Sequence, residues 1–153
     1  YAGLRYSDFI NLTAANIVEL HQETWLIYKS VKTGIDVRLP LYLLFEGKGL
    51  RVLETYKDDL NGFFKLKDNS NVNKDLNALA KLAEIDKRIS FHTARHTNAT
   101  LLIYSGANIT TVQKLLGHKS VKTTQVYANI MDMTIVHDLE KAAYSKLANR
   151  PKS

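Results

Sequence analysis

The sequence predicts an α+β fold dominated by α: a helical domain with a small antiparallel β-sheet near its N-terminus. Apolar and polar residues alternate through residues 17–40 around a Lys32-Thr33-Gly34 turn, which is the period of strands. From residue 72 onward apolar residues recur every three or four positions, with capping residues before the runs and glycines after them. At 153 residues, 45% hydrophobic and 24% charged, the chain has the length and composition of one folded domain and not of a disordered tail or a collagen.

Residues 7–12 read as a short helix with Ser7 as its N-cap and Phe9, Ile10 and Leu12 apolar. Two or three short antiparallel strands follow in 17–40. There Trp25, Ile27 and Lys29 alternate with Leu26, Tyr28 and Ser30, and Val37 and Leu39 alternate with polar neighbours. The Gly34 turn carries Lys32 at a hairpin tip, where a flexible side chain can swing toward a ligand. Residues 41–45 begin a helix that Gly47 and Gly49 interrupt, and 61–75, with Gly62 and Asp68-Asn69-Ser70-Asn71, read as an exposed loop. Asn71 then caps a helix over 72–84 whose Val72, Leu76, Leu79, Ala80 and Ala83 form one buried stripe.

Residues 90–104 form the next helix, with Ala94, Leu101 and Leu102 apolar and Gly106 placed to end it. Asn108 or Thr110 caps another, running through Ile109, Val112, Leu115 and Leu116 to Gly117, and Ser120 starts a short helix through Tyr127. After Met133, Val136, Leu139, Ala143 and Leu147 again keep helical spacing, and Pro151 marks a frayed end.

Cysteine is absent, which excludes disulfide scaffolds, thiolate-zinc sites and cysteine nucleophiles. Lys plus Arg number 21 against 15 Asp plus Glu, a net charge of +6 and a pI near 9.4, which favours a polyanionic partner such as DNA or RNA. No run approaches the roughly 18 apolar residues of a membrane span, and the N-terminus lacks the pattern of a signal peptide. The expectation is a soluble intracellular protein. Opening on Tyr1 rather than Met, the chain reads as a domain of a longer protein.

The most informative stretch is Ser90-Phe91-His92-Thr93-Ala94-Arg95-His96-Thr97. On a helix His92 and Arg95, at i and i+3, share a face with β-carbons about 5–6 Å apart, close enough for both to touch one phosphate. A His-x-x-Arg pair arises by chance about 0.2 times in a chain of this composition, so alone it describes a surface helix with two polar residues better than a site. The second stretch is Leu115-Leu116-Gly117-His118-Lys119-Ser120, followed by Tyr127 in Thr123-Thr124-Gln125-Val126-Tyr127. Taken singly, His118 reads as a helix-capping residue and Tyr127 as an ordinary half-buried tyrosine.

In combination, Gly3-Leu4-Arg5-Tyr6-Ser7-Asp8, Lys32, His92-x-x-Arg95-His96, Leu115-Leu116-Gly117-His118 and Tyr127 resemble, in order and spacing, the catalytic domain of tyrosine recombinases, the phage integrase family. The resemblance covers essentially the whole chain, and the flanking text is similar to the integrases of mobile genetic elements. It implies Arg5 and Arg95 as catalytic arginines, Lys32 as the hairpin lysine, with Lys29 nearby as the alternative register, and His92 and His118 as the two histidine positions. Tyr127 takes the place of the nucleophile. Asp8 matches an acidic residue that supports the arginine site, and His96 reads as a supporting residue.

This chemistry explains the residue types. Attack on a phosphodiester builds negative charge on two non-bridging oxygens, which fixed guanidinium donors match, with His118 as a third donor. No metal and no cofactor is expected. A free phenol costs about 4 kcal/mol to ionise at pH 7, so the arginines should favour the phenolate while His92 accepts or relays the proton. Lys32 is the candidate general acid for the departing 5′ oxygen.

The resemblance further implies a 3′-phosphotyrosyl intermediate, a free 5′-hydroxyl and strand exchange through a four-way junction without ATP. Its implied partners are double-stranded DNA, further recombinase subunits in a tetrameric synaptic complex and accessory DNA-bending proteins, with no membrane. It also implies that 1–153 is a catalytic domain whose first helix and core-binding domain lie ahead of Tyr1, and that the protein works in the cytoplasm on the nucleoid. The stripe Val136-Leu139-Ala143-Leu147 fits equally a face docking on a neighbouring subunit and one packing on its own domain. Two rivals remain: a non-catalytic helical DNA-binding module, disfavoured because all six catalytic positions are filled, and cleavage and resealing of the type IB topoisomerase kind.

Overall fold

Three strands and seven α-helices make up residues 1–128, which are the residues described by the computed structural model. The stripe Val136-Leu139-Ala143-Leu147 and Pro151 lie outside the described residues.

Strands β1 (Ile17–Leu20), β2 (Glu23–Lys29) and β3 (Asp36–Pro40) pair antiparallel in the order β1-β2-β3, as the alternation in 17–40 predicts. Leu26 and Tyr28 of β2 lie opposite Leu39 and Val37 of β3, and all four are buried. The β1–β2 turn is His21-Gln22, both in the left-handed region at φ 54° and 66°. A two-residue hairpin needs that conformation and Asn-Gly usually supplies it, so composition does not mark this turn.

Helix α1 (Tyr6–Phe9) is shorter than expected and starts one residue earlier. The carbonyl of Arg5 accepts the N–H groups of Asp8 and Phe9 at 3.1 and 2.9 Å, so the turn begins at Arg5 and Ser7 lies inside the helix instead of capping it. Residues 41–47 form turns, not the start of a helix. The helix follows them as α2 (Lys48–Thr55), with Gly47 in the left-handed region at its N-cap and Gly49 within it. The predicted 61–75 loop is largely helical too. Asp59 caps α3 (Leu60–Phe63) by accepting the Gly62 N–H at 2.8 Å, and Asp68, not Asn71, caps α4 (Asn69–Leu82) by accepting the Asn71 N–H at 3.1 Å.

The inward face of α4 also differs from the apolar stripe. Val72, Asn73, Leu76, Asn77 and Ala80 turn inward, whereas Leu79 is 61% exposed and Ala83 is exposed as well. Two asparagines explain the rotation. Asn73 accepts the Phe91 N–H at 2.8 Å, while Asn77 accepts the Ile89 N–H at 3.2 Å and donates to the Ile89 carbonyl at 2.8 Å. Backbone groups that would otherwise lack partners are satisfied this way, and the segment entering the next helix is fixed in place.

That helix, α5 (Phe91–Tyr104), is capped by Ser90, whose hydroxyl accepts the Thr93 N–H at 3.0 Å. It buries Arg95, Asn98, Ala99 and Ile103, while Ala94 and Leu101 are exposed. Asn108 caps α6 (Ile109–Leu115), accepting the Thr110 N–H at 2.9 Å, and α7 (Val121–Ala128) follows Ser120 as expected. Helices α5, α6 and α7 pack on one another, and α6 reaches β3.

Burial divides into two clusters. One surrounds the sheet, with Leu26, Val37, Leu39, Leu41 and Phe64, and the other joins Ala99, Ile103, Val112, Leu116 and Tyr127. They meet at Gly117, where φ is +59° and an added Cβ would lie 2.7 Å from Val37 Cγ2. Only glycine allows that approach, which brings the α6–α7 loop against β3.

Candidate active site

Arg5 leaves the N-cap of α1 half-buried, and its Nη1 donates to Ser30 Oγ at 3.0 Å and lies 3.5 Å from Asp8 Oδ2. Asp8 is buried. Its Oδ1 accepts the Val31 N–H at 2.8 Å, and the Ser30 hydroxyl donates to its carboxylate at 3.2 Å. One carboxylate thus compensates the guanidinium and anchors the start of the β2–β3 turn.

Arg95 is only 2% exposed. Its Nη1 donates to the Gly3 carbonyl at 2.7 Å, and its Nη2 donates to the Leu116 carbonyl and to His118 Nε2, the latter at 3.0 Å. Because a guanidinium can only donate, His118 Nε2 must accept; the ring proton then sits on Nδ1, which donates to Thr124 Oγ1 at 2.9 Å. Burial and the neighbouring Arg5 push the Arg95 guanidinium down to about 10, so it remains cationic at neutral pH.

Burial, then the charges of Arg95 and Arg5, push His118 down to about 4. The ring is therefore neutral at pH 7, a hydrogen-bond acceptor that orients Arg95. The unfolded chain takes up this proton near pH 6.5 and the folded chain only near pH 4, so His118 contributes stability that is intact above about pH 6.5 and lost as the pH falls toward 4. Melting temperatures measured from pH 7 to 4 should fall less steeply for His118→Gln than for the parent chain. Equal slopes would contradict this assignment.

Tyr127, on α7 one turn after Thr124, is buried with its ring 5.3 Å from that of His96, and His96 packs edge-on against His92 at 4.2 Å. The three rings form a row with His96 in the middle. Partial burial, then electrostatic interaction with His96 and the cations Arg95, Arg5 and Lys32, lowers His92 from the usual histidine value, which favours the neutral ring that can accept a proton. For Tyr127 the expectation needs correction. Arg95 and Arg5 do pull the phenol down, but burial pushes it up by more, so the net shift is upward and no phenolate is preformed.

Lys32 is exposed in the β2–β3 turn. With Arg5, Asn73, Ser90 and His92 it lines a hollow of about 390 Å³. The six residues singled out by sequence therefore converge on one side of the molecule: Arg5, Lys32 and His92 around the hollow, and Arg95, His118 and Tyr127 in the packed layer beside it.

Several residues of the arrangement carried no sequence signal of their own. Ser30 and Thr124 hold Arg5 and His118, and Asn98, one turn beyond Arg95, donates to the Tyr1 carbonyl at 2.6 Å to hold the N-terminal segment. Ser30 directly follows β2, two residues after Tyr28, and Thr124 is three residues before Tyr127 on one helix face, so periodicity turns both inward without naming their partners. Among the described residues no three His, Cys, Asp or Glu side chains are grouped to hold a metal ion. No helix among them is long and apolar enough to cross a membrane.

Comparison with known proteins bears on what this geometry is for. The model of the phage integrase family matches residues 1–133. A tyrosine recombinase of Thermosipho africanus is 34% identical over 139 residues, which cover 86% of this chain and 47% of that protein. The crystal structure of XerA recombinase superposes with a TM-score of 0.70 at 26% identity, over 100% of this chain and 56% of that one. A lambda integrase dimer bound to a COC′ core site has the same fold, with a TM-score of 0.67 at 21% identity over 82% of this chain and 47% of that one. The chain spans about half the length of the curated relatives it matches.

Proposed function

Because the chain belongs to the phage integrase family of tyrosine recombinases, we propose that it is the catalytic domain of a site-specific DNA recombinase or integrase of a mobile genetic element, with a core-binding domain elsewhere in a longer protein. The scissile phosphate sits over the hollow lined by Arg5, with Arg95 in the layer beside it; once Arg95 turns toward the DNA, the two guanidiniums match the non-bridging oxygens and stabilise the charge of the five-coordinate transition state. Tyr127 Oη bonds to phosphorus as the bond to the 5′ oxygen breaks. The phenolic proton leaves toward His92, with His96 against the tyrosine ring, and Lys32 protonates the 5′ oxygen. Since burial holds the Tyr127 phenol up, its proton departs during attack and not before it. His118 is neutral and orients Arg95; its Nε2 carries no proton in this tautomer, so it donates to phosphate only once Arg95 has turned toward the DNA and the ring proton has moved from Nδ1 to Nε2.

The products are a 3′-phosphotyrosyl bond and a free 5′-hydroxyl. Because the phosphotyrosyl bond keeps the energy of the broken phosphodiester, a 5′-hydroxyl from another strand can reverse the attack without ATP. The partners are double-stranded DNA and further recombinase subunits, four in the synaptic complex, with accessory DNA-bending proteins; the place of action is the cytoplasm, on the nucleoid. The observation that carries the proposal is the buried link from Arg95 through His118 to Thr124 on the helix that presents Tyr127. The convergence of the six positions speaks against the non-catalytic alternative; the topoisomerase alternative uses the same site and differs in that no strands are exchanged.

A nicked suicide DNA substrate tests the reading. Incubated in EDTA with this chain, and with the full-length protein on its own junction DNA, it should give a denaturation-resistant protein–DNA band whose attachment maps to Tyr127. Absence of the band with both proteins would return the chain to a DNA-binding role.

A further inference from the structure

Lys32 lies between two ties. On one side the Val31 N–H is held by Asp8 Oδ1 at 2.8 Å. On the other the Thr33 hydroxyl donates to the Gly117 carbonyl at 3.0 Å, reaching across 84 residues to the α6–α7 loop. Gly117 sits between Leu116, whose carbonyl takes Arg95, and His118, whose ring takes Arg95 as well. The tip beyond is open, since a side chain at Gly34 would meet nothing within 4 Å. Thr33 is therefore placed to fix the far limb of the turn to the loop that aligns Arg95.

We propose that Thr33 is a positioning residue that docks the Lys32 turn onto the Gly117 carbonyl, so that the general acid and the phosphate-binding arginine are held as one unit. The inference rests on the reading of Lys32 as general acid. The six-residue turn from Ser30 to Ile35 is closed by the Ser30 N–H to Ile35 carbonyl bond of 2.8 Å and the Gly34 N–H to Ser30 carbonyl bond of 2.7 Å, and its near limb is held by Asp8, but none of these bonds reaches the α6–α7 loop. Within it a long lysine side chain samples many positions. Proton transfer needs donor and leaving oxygen within hydrogen-bond distance, and a displacement of about 1 Å can cost as much as a hundredfold in rate. The tie does not touch DNA; it acts through Lys32.

The test compares two leaving groups in the full-length protein, by single-turnover cleavage of a nicked suicide substrate. With an ordinary phosphodiester the P–O5′ bond breaks and the alkoxide must be protonated. With a 5′-bridging phosphorothiolate the P–S bond breaks and the electron pair stays on sulfur, a thiolate that leaves without a proton. Thr33→Val keeps the branched shape but removes the hydroxyl. On the ordinary substrate it should slow cleavage by about tenfold, Thr33→Ser should restore most of the rate, and on the phosphorothiolate Thr33→Val should match the parent within about twofold. Lys32→Ala, run alongside, should be slow on the first substrate and restored on the second. If Lys32→Ala is not restored, the general-acid reading fails and the Thr33 inference with it. If Lys32→Ala is restored but Thr33→Val is either unimpaired on the ordinary substrate or equally slow on both, the Thr33 inference alone is overturned.

Discussion

Tyr127→Phe should abolish the covalent protein–DNA adduct while leaving DNA binding and the fold in place. The phenyl ring keeps the packing of Tyr127 in the cluster with Ala99, Ile103, Val112 and Leu116 and its contact with His96. Loss of one hydroxyl then changes stability by at most about 1 kcal/mol. The chemistry loses its only nucleophilic atom at that position, and no rescue by pH is expected. Denaturing gels of the suicide-substrate reaction read the adduct, and a mobility shift on intact duplex reads binding. A Tyr127→Phe protein that still forms the adduct would place the nucleophile elsewhere.

Arg95→Lys should harm both stability and cleavage, because the same guanidinium serves both. Its planar fork satisfies the Gly3 and Leu116 carbonyls and meets His118 while buried. An ammonium cannot span these partners at once, and each buried carbonyl left without a donor costs about 1–3 kcal/mol. A total near 3 kcal/mol lowers the melting temperature by roughly 10 °C in a domain of this size. Loss of a preorganised donor to the transition state costs a further factor of about 10² to 10³ in the cleavage rate. Single-turnover cleavage measured well below the melting temperature of the variant separates the two effects. A variant that melts lower but cleaves at the parental rate would make Arg95 purely structural.

What the sequence revealed and what it hid follow from the range of the interactions. The strands in 17–40 and the caps Ser90 and Asn108 are local signals, and they appear where periodicity and capping chemistry put them. Helix α2 was hidden because Gly47-Lys48-Gly49 reads as a breaker, although Gly47 initiates the helix in a left-handed conformation that a glycine adopts freely. The buried face of α4 departs from the apolar stripe because Asn73 and Asn77 turn inward to hold the backbone at residues 89 and 91, and polar residues do not register in such a stripe. The order and spacing of Arg5, Lys32, His92, Arg95, His118 and Tyr127 were legible, and they do gather on one side. Their holders were not. The bonds of Ser30, Thr33 and Asn98 span 22, 84 and 97 residues, and composition carries no trace of which carbonyl or carboxylate a hydroxyl or amide will find.

The division of the interior into two clusters has a consequence for engineering. Leu26, Leu39 and Leu41 belong to the cluster around the sheet, Val37 packs against Gly117 where the two clusters meet, and Ile103 and Val112 belong to the layer that seats the buried tyrosine. Substitutions chosen to raise heat tolerance can be drawn from the sheet side and from the exposed Leu79 and Leu82. The same search in the layer of α5, α6 and α7 would move the reactive ring with every repacked methyl group. A library that keeps that layer constant separates durability from turnover, and one that randomises both confounds them.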